Sequence, residues 1–385
     1  MVTSLLLSLV LSCSATPRCP QDPPVVELHV DATRGKDQAP GTAGRPLRSI
    51  AAAIQRLPDP VTQTTVIHLA SGTIGTTGGG EMPAHTLHLM RRMRVGVSVR
   101  IVGPIDAPPQ LAWSDHTMCI VTEGDWQLEN VQIGTFATNQ RRGIEVTGPA
   151  HLRLRNVTFR LRSESDAAIW ARHGGRVTLH GKILINEHLH DAAEAETFSG
   201  LLATEHGIIE CGEREQSRLE LGNGSLSVRT YGIIRLGCES ARITCWTKSN
   251  NLAVNNGGRI DVRNTTLTLC AKVANNTPIG LEHDGHILAE DAKISIVGKN
   301  DSAIALQKAS TFTCNDIALE GEFEYAIWAS SGSMFVGRFL GDVGKVDATT
   351  GAGIHLEKVG GEILGEVTAR SGGVVSLPDR TVHSK

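Results

Sequence analysis

Short stretches of alternating apolar and polar residues recur along most of the chain. Gly143-Ile144-Glu145-Val146 is followed by His151-Leu152-Arg153-Leu154-Arg155-Asn156 and then by Phe159-Arg160-Leu161. The same succession returns in Ala168-Ile169-Trp170-Ala171, Gly175-Arg176-Val177-Thr178-Leu179-His180-Gly181 and Ile183-Leu184-Ile185. It returns again in Leu252-Ala253-Val254, Gly258-Arg259-Ile260-Asp261-Val262-Arg263-Asn264 and Leu267-Thr268-Leu269. Alternation with period two points one face of a strand inward. The leading apolar residue falls at 144, 169, 252, 279, 304, 327 and 354, so adjacent clear units differ by 25, 27, 25, 23 and 27 residues.

Self-similarity at a period of roughly 20 to 50 residues marks a solenoid. A unit of three short strands cannot bury its apolar faces alone, and stacking on its neighbours builds one continuous core. The expected fold is therefore all-β: a single-stranded right-handed parallel β-helix of roughly 9–11 coils. Between 200 and 247 the register blurs, and one or two irregular coils are expected there. Asn130, Asn156, Asn264 and Asn315 recur directly after a strand. Tight turns there need left-handed backbone, which Asn and Gly tolerate best.

The ends read differently. Leu5 to Leu11 is an apolar run of signal-peptide length, which makes 1–15 a secretion signal, with Cys13 a site for a lipid anchor if the lipobox-like Val10-Leu11-Ser12-Cys13 is used. Pro-rich 16–27 reads as a linker, 28–60 as a lead-in segment with a short N-terminal capping helix, 61–377 as the β-helix and 378–385 as a tail. Leu47, Ile50, Ala51, Ile54 and Leu57 would share one face of the helix, between Pro46 and Pro58. It would plug the open end of the core.

The lead-in segment carries Asp31, Gly35, Asp37, Pro40-Gly41-Thr42, Pro46, Ser49-Ile50 and Ala53, ending in Thr65-Val66-Ile67-His68-Leu69. It resembles the N-terminal segment of secreted pectate-lyase-like (pectin lyase fold) right-handed parallel β-helix proteins. That resemblance implies the fold; the fold hosts lyases, hydrolases and inert surface proteins alike. Trp113-Ser114-Asp115-His116 is similar to a pectate-lyase signature, without its companion Arg-x-Pro-x-x-Arg.

Composition narrows the partners. A formal net charge of −3 lacks the basic excess of a nucleic-acid binder, and no nucleic-acid partner is expected. No cofactor motif, zinc-type Cys/His spacing or transmembrane run is present in the sequence. Of 8 Cys most sit in strand patterns as small buried residues, although Cys238 and Cys245 could pair.

Outward positions supply the candidate chemistry. On the first strand of each coil they are Glu145, Trp170, Leu202, Ala253, Gly280, Ala305, Trp328 and His355; Trp170 and Trp328 could stack on sugar rings. On the second strand His151, Arg153, Arg155, Arg176, His180, Arg259 and Arg263 form a cationic stripe interrupted by Asp261, able to pair with uronate carboxylates or sulfates; a solvated, salt-bridged face is the alternative. One polar insertion, Asn186 to Ser199, holds His188, His190 and Asp191, and with His206 these are the candidate catalytic groups. The reading is a secreted or surface-anchored protein that binds an extracellular, acidic polysaccharide. The alternatives are a polysaccharide lyase, for which calcium would be the expected metal, a glycoside hydrolase, or a structural, spike-like component.

Overall fold

The computed structural model describes residues 25–74, 87–112, 117–134, 142–161, 167–186, 199–212, 217–222, 224–245, 250–271 and 277–384. It is nearly all-β, 61% strand, and winds as a parallel β-solenoid of about 9 turns, with shorter rungs continuing at either end. Each turn places strands on three faces. Arg142–Thr147 lies on the first face; His151–Phe159 runs along the second and, past Asn156, along the third. The following turn, Ala167–Arg172 with Arg176–Ile185, pairs with it in parallel, setting Ile144 against Ile169, Leu152 against Val177 and Val157 against Ile183.

Inward positions are filled by aliphatic side chains buried to within about 1%. Ile144, Ile169, Leu201, Leu226, Leu252, Ile279, Ile304 and Ile327 stack on one another along the first face. The core turns aromatic towards the C-terminal end, where Phe312 meets Phe335 edge-on at 5.4 Å between ring centroids. At the other end, Ser49 caps the helix Ile50–Gln55 by accepting from the Ala52 N–H, and Ile50, Ala52, Ala53 and Ile54 are buried in the core. Thr381–His383 pairs antiparallel with Val374–Ser376 and covers that edge of the last rung.

The lead-in motif is explained by its hydrogen bonds. Asp31 accepts from the Thr33 and Arg34 N–H groups, and Asp37 from those of Arg48 and Ser49. These residues shape the segment that starts the solenoid.

The turn from first to second face is nearly invariant. Arg172-His173-Gly174-Gly175 closes with a Gly175 N–H to Arg172 C=O bond of 2.9 Å, and both central residues have positive φ. Thr204–Gly207, Arg229–Gly232 and Asn255–Gly258 repeat the bond and the signs. Two left-handed central residues define a tight hairpin-type turn, which suits Asn and Gly. The fourth position must be small: a Cβ at Gly207 or Gly232 would strike the carbonyl of Ala171 or Ala203 in the preceding turn.

Several sequence expectations are corrected. The described strands between 199 and 245 make two turns, Ser199–Ala203, Ile208–Cys211, Arg218–Leu221 and then Ser225–Val228, Ile233–Arg235, Ser240–Cys245, with a register shift between Ser199 and Leu201; small and polar residues such as Ser225 and Ser227 occupy strand positions there. Ile354 belongs to the second face, opposite Phe335; the first-face residue of that turn is Val346, opposite Ile327, so the outward residue is Asp347 and not His355. The helix is one turn shorter than expected, since Leu47 bridges Val30, and its Ala51 is exposed. Asn130, Asn156 and Asn264 are left-handed, whereas Asp291 has positive φ beside the third face in place of Asn315. Cys238 and Cys245 form no disulfide; the Cys238 thiol is hydrogen-bonded with that of Cys211 on the preceding turn. Among the described residues no helix is long and apolar enough to cross a membrane.

The register makes a direct prediction. Ile260 is wholly buried and opposes Ile234 and Ile287, so Ile260→Asp places an unpaired charge in the core and should cost on the order of 3–5 kcal/mol. Urea unfolding followed by circular dichroism should show the midpoint falling; an unchanged midpoint would contradict this register.

Candidate functional site

The second-face stripe is built from the predicted residues, but they are engaged with acids in the same ladder. Arg153 bonds Asp125 at 2.5 Å, and Glu210 takes both Arg176 and, at 3.3 Å, Arg235. Arg263 bonds Asp261 at 2.6 Å, with Arg259 at 3.6 Å. Parallel register sets like positions of successive turns side by side, so an acid one turn away reaches a guanidinium directly. His180 lies over Gly212, where a Cβ would meet its ring, and Arg155 faces outward beside it. The face is therefore an interlocked lattice of charges; Asp261 interrupts the stripe as expected, and the acids that the sequence reading left out are Asp125 and Glu210.

Burial raises the carboxyl pKa of Asp261, but hydrogen bonds from Arg263 and the charges of Arg263 and Arg259 outweigh it and hold the group below the usual carboxylate range. Burial, and then the charge of Arg153, lowers His151 against the opposing pull of Asp125. The neutral His151 ring hydrogen-bonds Thr178 at 2.8 Å.

On the first face Trp170 is half-buried. The guanidiniums of Arg142 and Arg172 each lie 4.6 Å from its ring centroid, and its Nε1–H donates to Thr204 at 3.0 Å. Both arginines converge on the buried Glu145, Arg172 at 2.5 Å and Arg142 at 3.5 Å. Trp328, six rungs further along this ladder, has Ala305 on one side and on the other the buried Asp347, which accepts from Thr368 and Arg370 at 2.5 Å each. Neither indole stands alone as an open platform.

The candidate site is the ridge of turns beside Trp170. His206 and Tyr231 occupy the third turn position in successive turns, with φ of 64° and 61°. Gly174, Gly257, Gly332, Gly351 and Gly372 hold that position in other turns, and Asp284 and Ala309 hold it in two more. The two rings stack at 5.6 Å and 9° between planes, and Tyr231 covers Gly257. Both residues are exposed, Tyr231 to 60%. On the opposite side of His206 is Gly174, with no atom within 4 Å of where its Cβ would stand. A rim of polar groups borders this space: Glu205 bonds His173 at 2.9 Å, and His173 Nδ1 lies 3.3 Å from the Thr147 hydroxyl. The arrangement offers an aromatic wall, an open glycine floor and hydrogen-bonding groups beside them.

Of the predicted catalytic groups, His206 is in this ridge, and His188, His190 and Asp191 lie outside the described residues, as do Cys13 and Trp113–His116. Tyr231, Glu205 and His173 were missed. Their signal is visible once the turn register is known: Glu205-His206 and Thr230-Tyr231 stand where Asn256-Gly257 stands later.

A second concavity, about 930 Å³, opens near the C-terminal end between the third and first faces. Asp301, Glu322, Glu324, Asp342 and Glu366 line it together with Lys345. Glu322 is drawn below the usual carboxylate range by the hydrogen bond and charge of Lys299, 2.6 Å away.

No protein-family model and no curated protein matches the chain. Among solved structures it is similar to a GH136 lacto-N-biosidase from Eubacterium ramulus, at 12% identity and a TM-score of 0.45 over 91% of this chain and 68% of that one. The complex of XylC with xylose is matched at 9% identity and a TM-score of 0.33 over 86% and 70%. At TM-scores below 0.5 these likenesses bear neither on the fold, which rests on the strand pairing, nor on the site.

The charge lattice predicts an acid limb. A carboxylate held low in the folded state stabilises fully above its unfolded value, about 3.9, and loses that contribution as pH falls through the folded value. Asp261→Asn should therefore flatten the decline of stability below about pH 4. Parallel pH profiles of wild type and variant in urea melts would count against the pairing.

Proposed function

We propose that the protein binds an extracellular polysaccharide, with a sugar ring received on the His206–Tyr231 ridge beside Trp170. The observation that carries this reading is the exposed stack of two aromatic rings that His206 and Tyr231 set on successive turns. Left-handed non-glycine residues recur in these turns, Asp284 and Ala309 at the same position among them, and among the described turns only His206 and Tyr231 place a ring there. Glycine, aspartate or alanine holds the same position in other turns, so the fold itself does not require His206 or Tyr231.

The chemistry fits a sugar. Pyranose rings have one face of C–H groups that can rest on an aromatic plane, and hydroxyls at the rim that need partners. His206 offers the plane above Gly174; Glu205, His173 and Thr147 offer the partners. Successive turns repeat at the ladder spacing, so the ridge runs along the solenoid and suits an extended chain. The arginines of the second face already bond Asp125, Glu210 and Asp261, so the acidic class of glycan rests on ridge and rim contacts and is one arm of the experiment. Secretion or surface anchoring accords with the apolar run at residues 5–11 and with such a ligand. The carboxylate-lined cleft favours hydrolysis as a second reading, since two carboxyls flanking a sugar are the machinery of glycoside hydrolases.

Tyr231→Gly separates binding from folding. It relieves the left-handed strain, so the melting temperature should stay level or rise, while glycan affinity should fall by roughly tenfold or more, the equivalent of about 1.4 kcal/mol. A glycan array carrying neutral, uronate and sulfated chains would identify the ligand, and titration calorimetry would compare variants. Binding unaffected by Tyr231→Gly and His206→Gly would remove the ridge as the site. Reducing-end release by the wild type, abolished by Glu324→Gln or Asp342→Asn, would establish the hydrolytic reading.

A further inference from the structure

We infer that Glu27, His29 and His68 form a binding site for a divalent transition-metal ion on the outer face of the solenoid's N-terminal end. The three residues come from the first two strands of the second face. Val26–Val30 pairs in parallel with Thr65–Leu69, and the register sets His29 directly opposite His68. Glu27 precedes His29 by two residues, so the alternation of the strand puts all three side chains on the same outward face. One donor atom from each lies within 4.8 Å of the other two.

The local chemistry favours a metal over a simple ion pair. The two imidazoles stack at 4.9 Å with 18° between planes, an arrangement that opposes charging both. His68 Nε2 is buried without a hydrogen-bond partner among the described residues; its nearest acid oxygen, from Glu27, is 3.8 Å away. An orphaned nitrogen facing a second imidazole and a carboxylate is a donor set without its acceptor. Tetrahedral ligands at about 2.1 Å from an ion stand roughly 3.4 Å apart, which small side-chain rotations would reach. Two imidazoles and one carboxylate select zinc, copper or nickel over calcium or magnesium, and leave a coordination position open to solvent.

The ion would also clip the first strand to the next turn. Zinc should therefore raise the melting temperature of the full chain. The test is calorimetric titration of Zn²⁺ into chelator-treated full-length protein, with Co²⁺ absorption in the visible reporting coordination geometry. We expect one tight equivalent, at least tenfold weaker in His29→Gln and in His68→Gln, lost in the double variant, and reduced in Glu27→Gln. Glu27 is exposed, so the last variant reads the site even if a histidine change disturbs folding. The 15 His of the chain make weak background binding expected, and only the tight class is diagnostic. A double variant that binds zinc with wild-type stoichiometry and affinity, or a wild type with no tight class, would overturn the site.

Discussion

The parallel ladder between turns governs almost everything else in this protein. A single turn of about 25 residues has three apolar edges and no interior of its own; it becomes stable only when the turns before and after cover it. The same hydrogen bonds that join the turns hold equivalent residues about 4.8 Å apart along the whole axis. Inside, this spacing stacks Ile on Ile and Leu on Leu. Outside, it brings each polar side chain against its counterpart in the next turn, so surface chemistry is written in columns.

Those columns account for the charge pattern. Asp125 with Arg153, Glu210 with Arg176 and Arg235, and Asp261 with Arg259 and Arg263 are contacts within or across adjacent rungs of one face. Glu145 and Asp347 are acids nearly withdrawn from water on the first face, and each is met by arginine from the same or a neighbouring turn. Exposed pairs of this kind contribute little stability individually. Buried carboxylates are different, because removing the guanidinium would leave an uncompensated charge.

The first turn shows where the fold and another demand part company. Backbone sterics ask for Asn or Gly at its centre and a small residue at its end, and Asn256-Gly257-Gly258 obeys. Glu205-His206 and Thr230-Tyr231 keep the geometry at a conformational cost and in return build an exposed aromatic stack. His283-Asp284 and Lys308-Ala309 keep the geometry too, and only the His206–Tyr231 pair adds a stack of rings. The fourth residue stays small, Gly in most turns and Ser310, Ser333 or Ala352 in others, and at Gly207 and Gly232 the carbonyl of the preceding turn leaves no room for a Cβ.

Alternation and period were legible in the sequence because they arise from forces acting within one turn: period two exposes one face of each strand, and a repeat near 25 residues is the length of one circuit. The left-handed Asn130, Asn156 and Asn264 were legible for the same local reason. The register through 199–245 was not, because small and polar residues such as Ser199, Ser225 and Ser227 in the first-face strands leave few apolar residues to mark the alternation until the neighbouring turns are in place. Nor was the move of Ile354 to the second face, which depends on a shortened preceding turn. The outward arginines could be found residue by residue, and Asp261 beside Arg259 and Arg263 with them, but whether Arg153 and Arg176 were free or paired depended on acids about one turn away in the chain and one rung away in space. His206 was singled out in the sequence; its partner Tyr231 was not, and neither was the meeting of His29 with His68. Sequence determines which face of a strand a residue occupies, because that follows from its own backbone. Which residue stands beside it is decided only when the turns stack.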